Sequence, residues 1–254
     1  VLAEVDRDGI FIASKVGWDP GPHDRFYHPR LIEAHLHRSL QNLSVEHIDL
    51  YYLHHCDFGP KGEYLDDALL TFRRLRTQGK IRFIGLSDWN SRRVLKYVDR
   101  VRPDVIQICR NVCNDEYVES GLKRWADAND VGVVFFSPLD HGLLLGKYTE
   151  PTSFPSGDTR NRVDGFRDRR LLLRLGDNRE KLIQRFDGHP EPVLHGLMGS
   201  LMADSPQACV LVGQRNPDQV RAAVAAAEPV SPTDAAWVNS LYDCETEGGL
   251  QSGE

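Results

Sequence analysis

Ile48-Asp49-Leu50-Tyr51-Tyr52-Leu53-His54-His55 decides how the rest of the chain is read. An apolar and aromatic run broken by one aspartate leads straight into two histidines, and Asp57, Gly59 and Pro60 follow. Such a run is a buried strand that stops where polar chemistry begins. The pattern recurs at Ile10-Phe-Ile-Ala-Ser-Lys15, Phe83-Ile-Gly-Leu-Ser-Asp88, Val105-Ile-Gln107, Val133-Val-Phe-Phe-Ser137 and Cys209-Val-Leu-Val-Gly-Gln-Arg215. A single strand ending in a lysine means little. Repeated apolar runs that all end in polar groups imply a shared face.

Helical spacings separate these runs. Leu31, Ala34, Leu36, Leu40 and Leu43 predict a helix over about 30–43. Further helices are expected at 63–79, from Ser91 to before Pro103, and at 117–130, 177–186, 191–204, 217–227 and 232–242, with Gly79 suited to a C-cap. Residues 140–176 break the rhythm with Gly, Pro, Arg and Asp and read as a long loop, either a lid or a connector. Glu245 to Glu254 reads as a frayed tail.

Strands alternating with helices require a parallel sheet covered on both faces, either open and doubly wound or closed into a barrel. The glycine fingerprint of the dinucleotide-binding doubly wound fold is absent. Polar groups at many strand ends suit a barrel, whose functional groups come from several strands rather than one switch point. The expected fold class is α/β of the (β/α)8 TIM-barrel type, a single domain over residues 1–254. A closed barrel of this type needs two more strands than the apolar runs supply, so the expectation is a barrel truncated at its N-terminus to about six βα units. The chain opens on Val1, which fits either a missing upstream segment or a GTG start codon written as valine.

Composition narrows the function classes. The 254 residues are 41% hydrophobic and 27% charged, enough for a sizeable core. A net charge of −6 argues against a general nucleic-acid binder, which needs a basic face. Arg73-Arg74 and Arg167-Asp-Arg-Arg170 read as solvated helix faces. No apolar segment approaches the roughly 20 residues of a membrane span and no secretory signal is visible, so a soluble cytoplasmic protein is expected. Cys56, Cys109, Cys113, Cys209 and Cys244 form an odd set without CxxC spacing, which suggests neither a disulfide framework nor a metal site. Cys109 and Cys209 fall in strands, where cysteine is usually a small buried hydrophobe.

Several stretches, in order, resemble the aldo-keto reductase family. They are Phe11–Lys15, Asp49–His54, Gly79-Lys-Ile-Arg82 with Ile84-Gly-Leu-Ser87, Ser137-Pro-Leu139 with Gly142-Leu-Leu-Leu-Gly-Lys-Tyr148, and Gly213-Gln-Arg215 with Gln219. The resemblance covers about residues 10–225 and implies an NADP(H)-dependent oxidoreductase acting on an aldehyde or ketone of a small or sugar-like molecule. Members use an aspartate, a tyrosine that protonates the carbonyl, a lysine that lowers the tyrosine's pKa, and a histidine that orients the carbonyl. That division is physically sensible, because a phenol with a pKa near 10 needs a neighbouring cation to exchange protons near neutrality. Lys15 and His54 match the lysine and histidine, while the aspartate and tyrosine have no counterpart in these residues. A second reading therefore stays open, a catalytically impaired or repurposed member that binds cofactor, ligand or partner, or runs non-redox lyase, isomerase or cyclase chemistry.

On the cofactor side the resemblance implies that Ser87 and Gln107 hold the nicotinamide carboxamide. Asp88, counted with them as a cofactor contact, stands where asparagine is usual; an ionised aspartate accepts but does not donate, so the change is either met by rotating the amide or weakens binding. Phe136 takes the place of the aromatic that stacks on the nicotinamide, a role needing no hydroxyl. Ser137, Leu139 and Lys147 would line the pyrophosphate, and Gly213 and Arg215 belong to the motif that meets the adenosine 2′-phosphate, with Gln219 near the adenine. Arg110 and Ala223 depart from the family, standing where an aromatic and an asparagine are common. Plain alternatives exist: Lys15 as a rim residue, His54 as a satisfied core histidine, Gln107 and Ser137 as strand caps, Phe136 as a core aromatic, Arg215 as a surface arginine. His55, Cys56 and Asp57 read as loop structure. Exposed edges of a six-stranded remnant would invite either a homodimer that covers them or a rearranged, incomplete barrel.

Overall fold

The computed structural model describes residues 6–23 and 25–243. The opening segment Val1 to Val5, Cys244 and the expected tail lie outside them. Six strands form, β1 (Ala13–Val16), β2 (Ile48–Leu53), β3 (Ile81–Asp88), β4 (Val105–Cys109), β5 (Gly132–Phe136) and β6 (Cys209–Val210), and they follow one another in sequence order. Neighbours β1 to β4 pair in parallel, with Lys15 opposite Tyr52, Tyr52 opposite Gly85 and Ser87 opposite Gln107. That is the barrel order, not the crossed order of a doubly wound sheet.

Contacts divide the chain into two compact units, Val1–Ile108 with Glu116–Val134, and Cys109–Asp115 with Phe135–Glu254. In the first, helices α1 (Pro29–Leu43), α2 (Leu65–Thr77) and α3 (Ser91–Val101) alternate with the strands. His28 caps α1 by accepting the Arg30 N–H, and Pro29 enters the first turn, where no N–H is needed. Gly79 follows α2 at φ +70°, a left-handed turn after the helix that glycine enters without a Cβ penalty. All six residues of β2 are buried, as expected of a strand covered on both faces. Asp49 is tolerated there because its carboxylate accepts from the Ile12 N–H and from Arg7 and Arg82. Burial pushes that carboxyl upward, but these three donors outweigh it and hold its pKa below the ordinary range. The helix expected at 117–130 breaks into α4 (Glu116–Glu119) and α5 (Leu122–Ala128), with Gly121 between them at φ +85°.

In the second unit the long segment is shorter than its composition suggests. Three 3₁₀ turns, Asp140–Leu145, Thr159–Arg162 and Asp164–Arg167, lead to α6 (Arg169–Arg185), whose start lies well before the expected 177. Asp168 sets that start, accepting the N–H groups of Arg170 and Leu171. Helices α7 (Pro192–Ala203), α8 (Pro217–Ala225) and α9 (Pro232–Tyr242) complete the unit, with Leu144, Phe166, Leu182, Leu197 and Val238 at its core. The strand expected at 208–213 contracts to β6. Leu211 still donates to the Phe135 carbonyl at 2.8 Å, but β5 ends one residue later and offers no further partner. Cys209 is exposed, contrary to its expected role as a buried hydrophobe, whereas Cys109 is buried.

Candidate active site

Parallel pairing brings the ends of β1 and β2 level. The His54 N–H donates to the Val16 carbonyl at 2.9 Å, so the histidine leaves its strand directly beside the residue after Lys15. The Lys15 ammonium lies 5.3 Å from the centre of the Tyr52 ring, a face that attracts a partly desolvated cation. Burial lowers the pKa of Lys15. Burial also lowers that of His54, helped by the charges of Lys15 and His55 and opposed by Asp88. The neutral imidazole is thus the favoured form of His54, and the Lys15 charge is one of the things that favours it.

The loops that carry them are tied together. The His55 ring accepts the Asp57 N–H at Nδ1, which leaves Nε2 to donate to the Gly17 carbonyl at 2.5 Å. Tyr27, fully buried, donates its hydroxyl to the His55 carbonyl at 2.6 Å and accepts the His55 N–H at 3.0 Å. A Cβ on Gly17 would strike the Tyr27 hydroxyl, which explains a glycine just after the strand. The Trp18 indole, 82% exposed, sits 5.7 Å from the His54 ring.

Ser87 and Gln107 are buried and stand opposite one another across β3 and β4. Asp88, also buried, accepts the Cys56 N–H at one carboxylate oxygen and the Asn90 N–H at the other, at 2.7 and 3.0 Å. The first unit therefore gathers Lys15, His54, Ser87, Asp88 and Gln107 at the C-terminal ends of its strands.

The second unit holds the remaining candidates. Phe136 ends β5, and Ser137 follows at φ +55°, its carbonyl accepting from the Asn111 amide and the Asp140 N–H, each at 3.2 Å. Leu139 opens the 3₁₀ turn before Lys147. Gly213, Arg215 and Gln219 lie on the surface around the start of α8. There Gln219 accepts the Arg215 N–H at 2.6 Å while Asn216 caps the helix, so Gln219 braces this turn. Arg215 also adds to the field around Asp158, whose carboxyl is driven down to about 2 mainly by its hydrogen bonds to Arg160.

Ala223 is buried in α8. Arg110 is only 3% exposed, gripped by Asp115 and by both oxygens of Asp204, with the Leu201 carbonyl as a further acceptor. Such a pair of carboxylates keeps a buried guanidinium charged. Trp18 and Tyr27 were not legible as site residues. Trp18 gave one faint signal, its place three residues after Lys15, and Tyr27 gave none.

The family model described as Aldo/keto reductase family matches residues 1–243. L-glyceraldehyde 3-phosphate reductase of Escherichia coli (strain K12) is 28% identical over 223 residues, covering 84% of this chain and 64% of that protein. Aldo-keto reductase YhdN of Bacillus subtilis (strain 168) is 30% identical over 223 residues, covering 85% and 65%. The NADH-specific methylglyoxal reductase of Escherichia coli (strain K12) is 28% identical over 217 residues, also covering 85% and 65%. The chain spans less than two thirds of the length of each of these relatives. Among solved structures, the glycerol dehydrogenase AKR11B4 from Gluconobacter oxydans superposes with a TM-score of 0.78 at 20% identity, covering 96% of this chain and 76% of that one. The holo form of aldo-keto reductase AKR11C1 from Bacillus halodurans gives 0.68 at 24% identity, covering 94% and 74%. At these identities the structural likeness concerns the fold alone.

Proposed function

Because the chain belongs to the aldo/keto reductase family of oxidoreductases, we propose that it binds a nicotinamide cofactor, NADP(H), and acts on the carbonyl of a small aldehyde or ketone at Lys15 and His54. The observation that carries this reading is the pair itself: a partly desolvated ammonium and a neutral imidazole held at adjacent strand ends. The cofactor residues fit in part. Ser87 and Gln107, a hydroxyl and an amide side by side, match the donor and acceptor of a carboxamide. Arg215 is an exposed cation suited to a phosphate, and Phe136, Ser137, Leu139, Lys147 and Gly213 are assigned to the cofactor with it.

When bound, the nicotinamide supplies hydride to the carbonyl carbon. Lys15 and His54 meet the charge that grows on the carbonyl oxygen, the first as a cation and the second as an N–H donor. Removing one such donor costs on the order of 100- to 1,000-fold in rate. Preference for the phosphorylated cofactor rests on Arg215, against which Asp158 adds a nearby negative charge.

Fluorescence titration with NADPH and NADH tests the reading, followed by assay against glyceraldehyde 3-phosphate and methylglyoxal. Tighter binding of NADPH supports it, tighter binding of NADH moves the cofactor to the unphosphorylated form, and binding of neither would overturn it. Turnover is the demanding arm, because the family's aspartate and tyrosine have no counterpart in this chain. The carbonyl substrate, a cytoplasmic location and self-association all belong to the same proposal. Among the described residues no helix is long and apolar enough to cross a membrane.

A further inference from the structure

A carboxylate only 4% exposed at a strand end must be matched by donors, and the donors that meet Asp88 belong to the chain itself. The Cys56 N–H reaches one oxygen at 2.7 Å and the Asn90 N–H the other at 3.0 Å. Arg93 stands 3.7 Å from the oxygen that takes Cys56. Asp88 therefore ties the exit of β2 to the exit of β3 and the start of α3. Asparagine could not replace it in this arrangement. It has one acceptor oxygen, and its NH₂ group would face one of the two N–H groups as donor against donor.

His54 lies two residues before Cys56. Its backbone is held on one side by the Val16 carbonyl and on the other by this staple, while His55 between them is locked by Gly17 and Tyr27. We propose that Asp88 is a positioning residue that fixes the His54–Cys56 segment, and that it makes no contact with the cofactor carboxamide, which falls to Ser87 and Gln107. This rests on the proposed function only for what His54 does; the staple stands apart from it.

Asp88→Asn is the test, read three ways. The Cys56 amide should exchange at least tenfold faster than in the parent protein. The His54 ring should titrate at lower pH, because the groups facing it would then be Lys15 and His55, both of which disfavour its charge. Dinucleotide affinity should stay within about twofold. A tenfold loss of dinucleotide affinity with the Cys56 amide and the His54 midpoint unmoved would make Asp88 a cofactor ligand and overturn the proposal. Should the variant not fold, the parent protein decides, since a Cys56 amide exchanging as fast as an unprotected one would equally overturn it. If the parent binds no dinucleotide, the functional reading fails, while the amide and the His54 midpoint still judge the staple.

Discussion

Lys15 sets a sign that separates function from structure. An ammonium drawn partly out of water destabilises the fold unless something beside it compensates, and here burial is what moves its pKa. Lys15→Met keeps the aliphatic stem and removes the charge, so it is expected to raise the melting temperature slightly, by less than full burial of the ammonium would give. Any carbonyl reduction should fall by about 100-fold or more in the same variant. Calorimetry showing a loss of stability would make Lys15 a structural partner of Tyr52 instead. The histidines make a second prediction. His54 and His55 both titrate below the ordinary 6.5, chiefly through burial. Between the folded and unfolded pKa the unfolded chain binds more protons, so stability rises with pH across that window and is lost as pH falls below about 6.5. His35 and His195 shift the same way, so the comparison must be with variants. The urea midpoint of the parent should fall more steeply from pH 7 to 5 than that of a His54→Gln, His55→Gln double variant, and parallel curves would refute this. Lys15 and His54 could be read from the sequence because each ends an apolar run. The roles of Asp88 and Arg110 could not, because their partners are set by tertiary pairing; Asp204 lies 94 positions from Arg110.

Strands buried on both faces show in sequence as continuous apolar runs, which is why β2 and β3 were legible almost to the residue. Elements defined by a neighbour or a cap were not. The start of α6 depends on Asp168, while Gly176 within it reads as a breaker, and β6 stops where the neighbouring chain turns aside at Ser137, φ +55°. Gly85 shows what the pattern hides. Its backbone needs no glycine conformation, but a Cβ there would clash with the Tyr52 ring that lies across it in register. Gly85→Ala should therefore cost about 1–3 kcal/mol by overpacking. The cost should shrink in a Tyr52→Leu background, and a double-mutant cycle by urea denaturation checks it. An equal cost in both backgrounds would place the conflict somewhere other than the ring.

At the scale of the whole molecule the apolar surface that folding leaves uncovered matters most. In the second unit Leu211 is 47% exposed, and on α8 Val220 and Val224 are 44% and 70% exposed. The two valines lie one helical turn apart and so share a face. Cys209 is exposed on β6. Single exposed hydrophobes are ordinary, whereas two on one helical face form a small apolar strip, and covering that strip is what would drive self-association. Each copy carries a net charge of −6, which opposes that association through water. The two effects respond oppositely to salt: screening removes the repulsion while apolar contact is unaffected or strengthened. Light scattering after size exclusion is therefore expected to show dimers that dissociate on dilution and persist at higher ionic strength. Val224→Glu should shift the chain toward monomer without lowering the urea midpoint, because that side chain is already 70% exposed. A chain that stays monomeric at every concentration, or dimers that salt dissolves, would sink the idea, the second by showing that ion pairs rather than apolar contact hold the copies together.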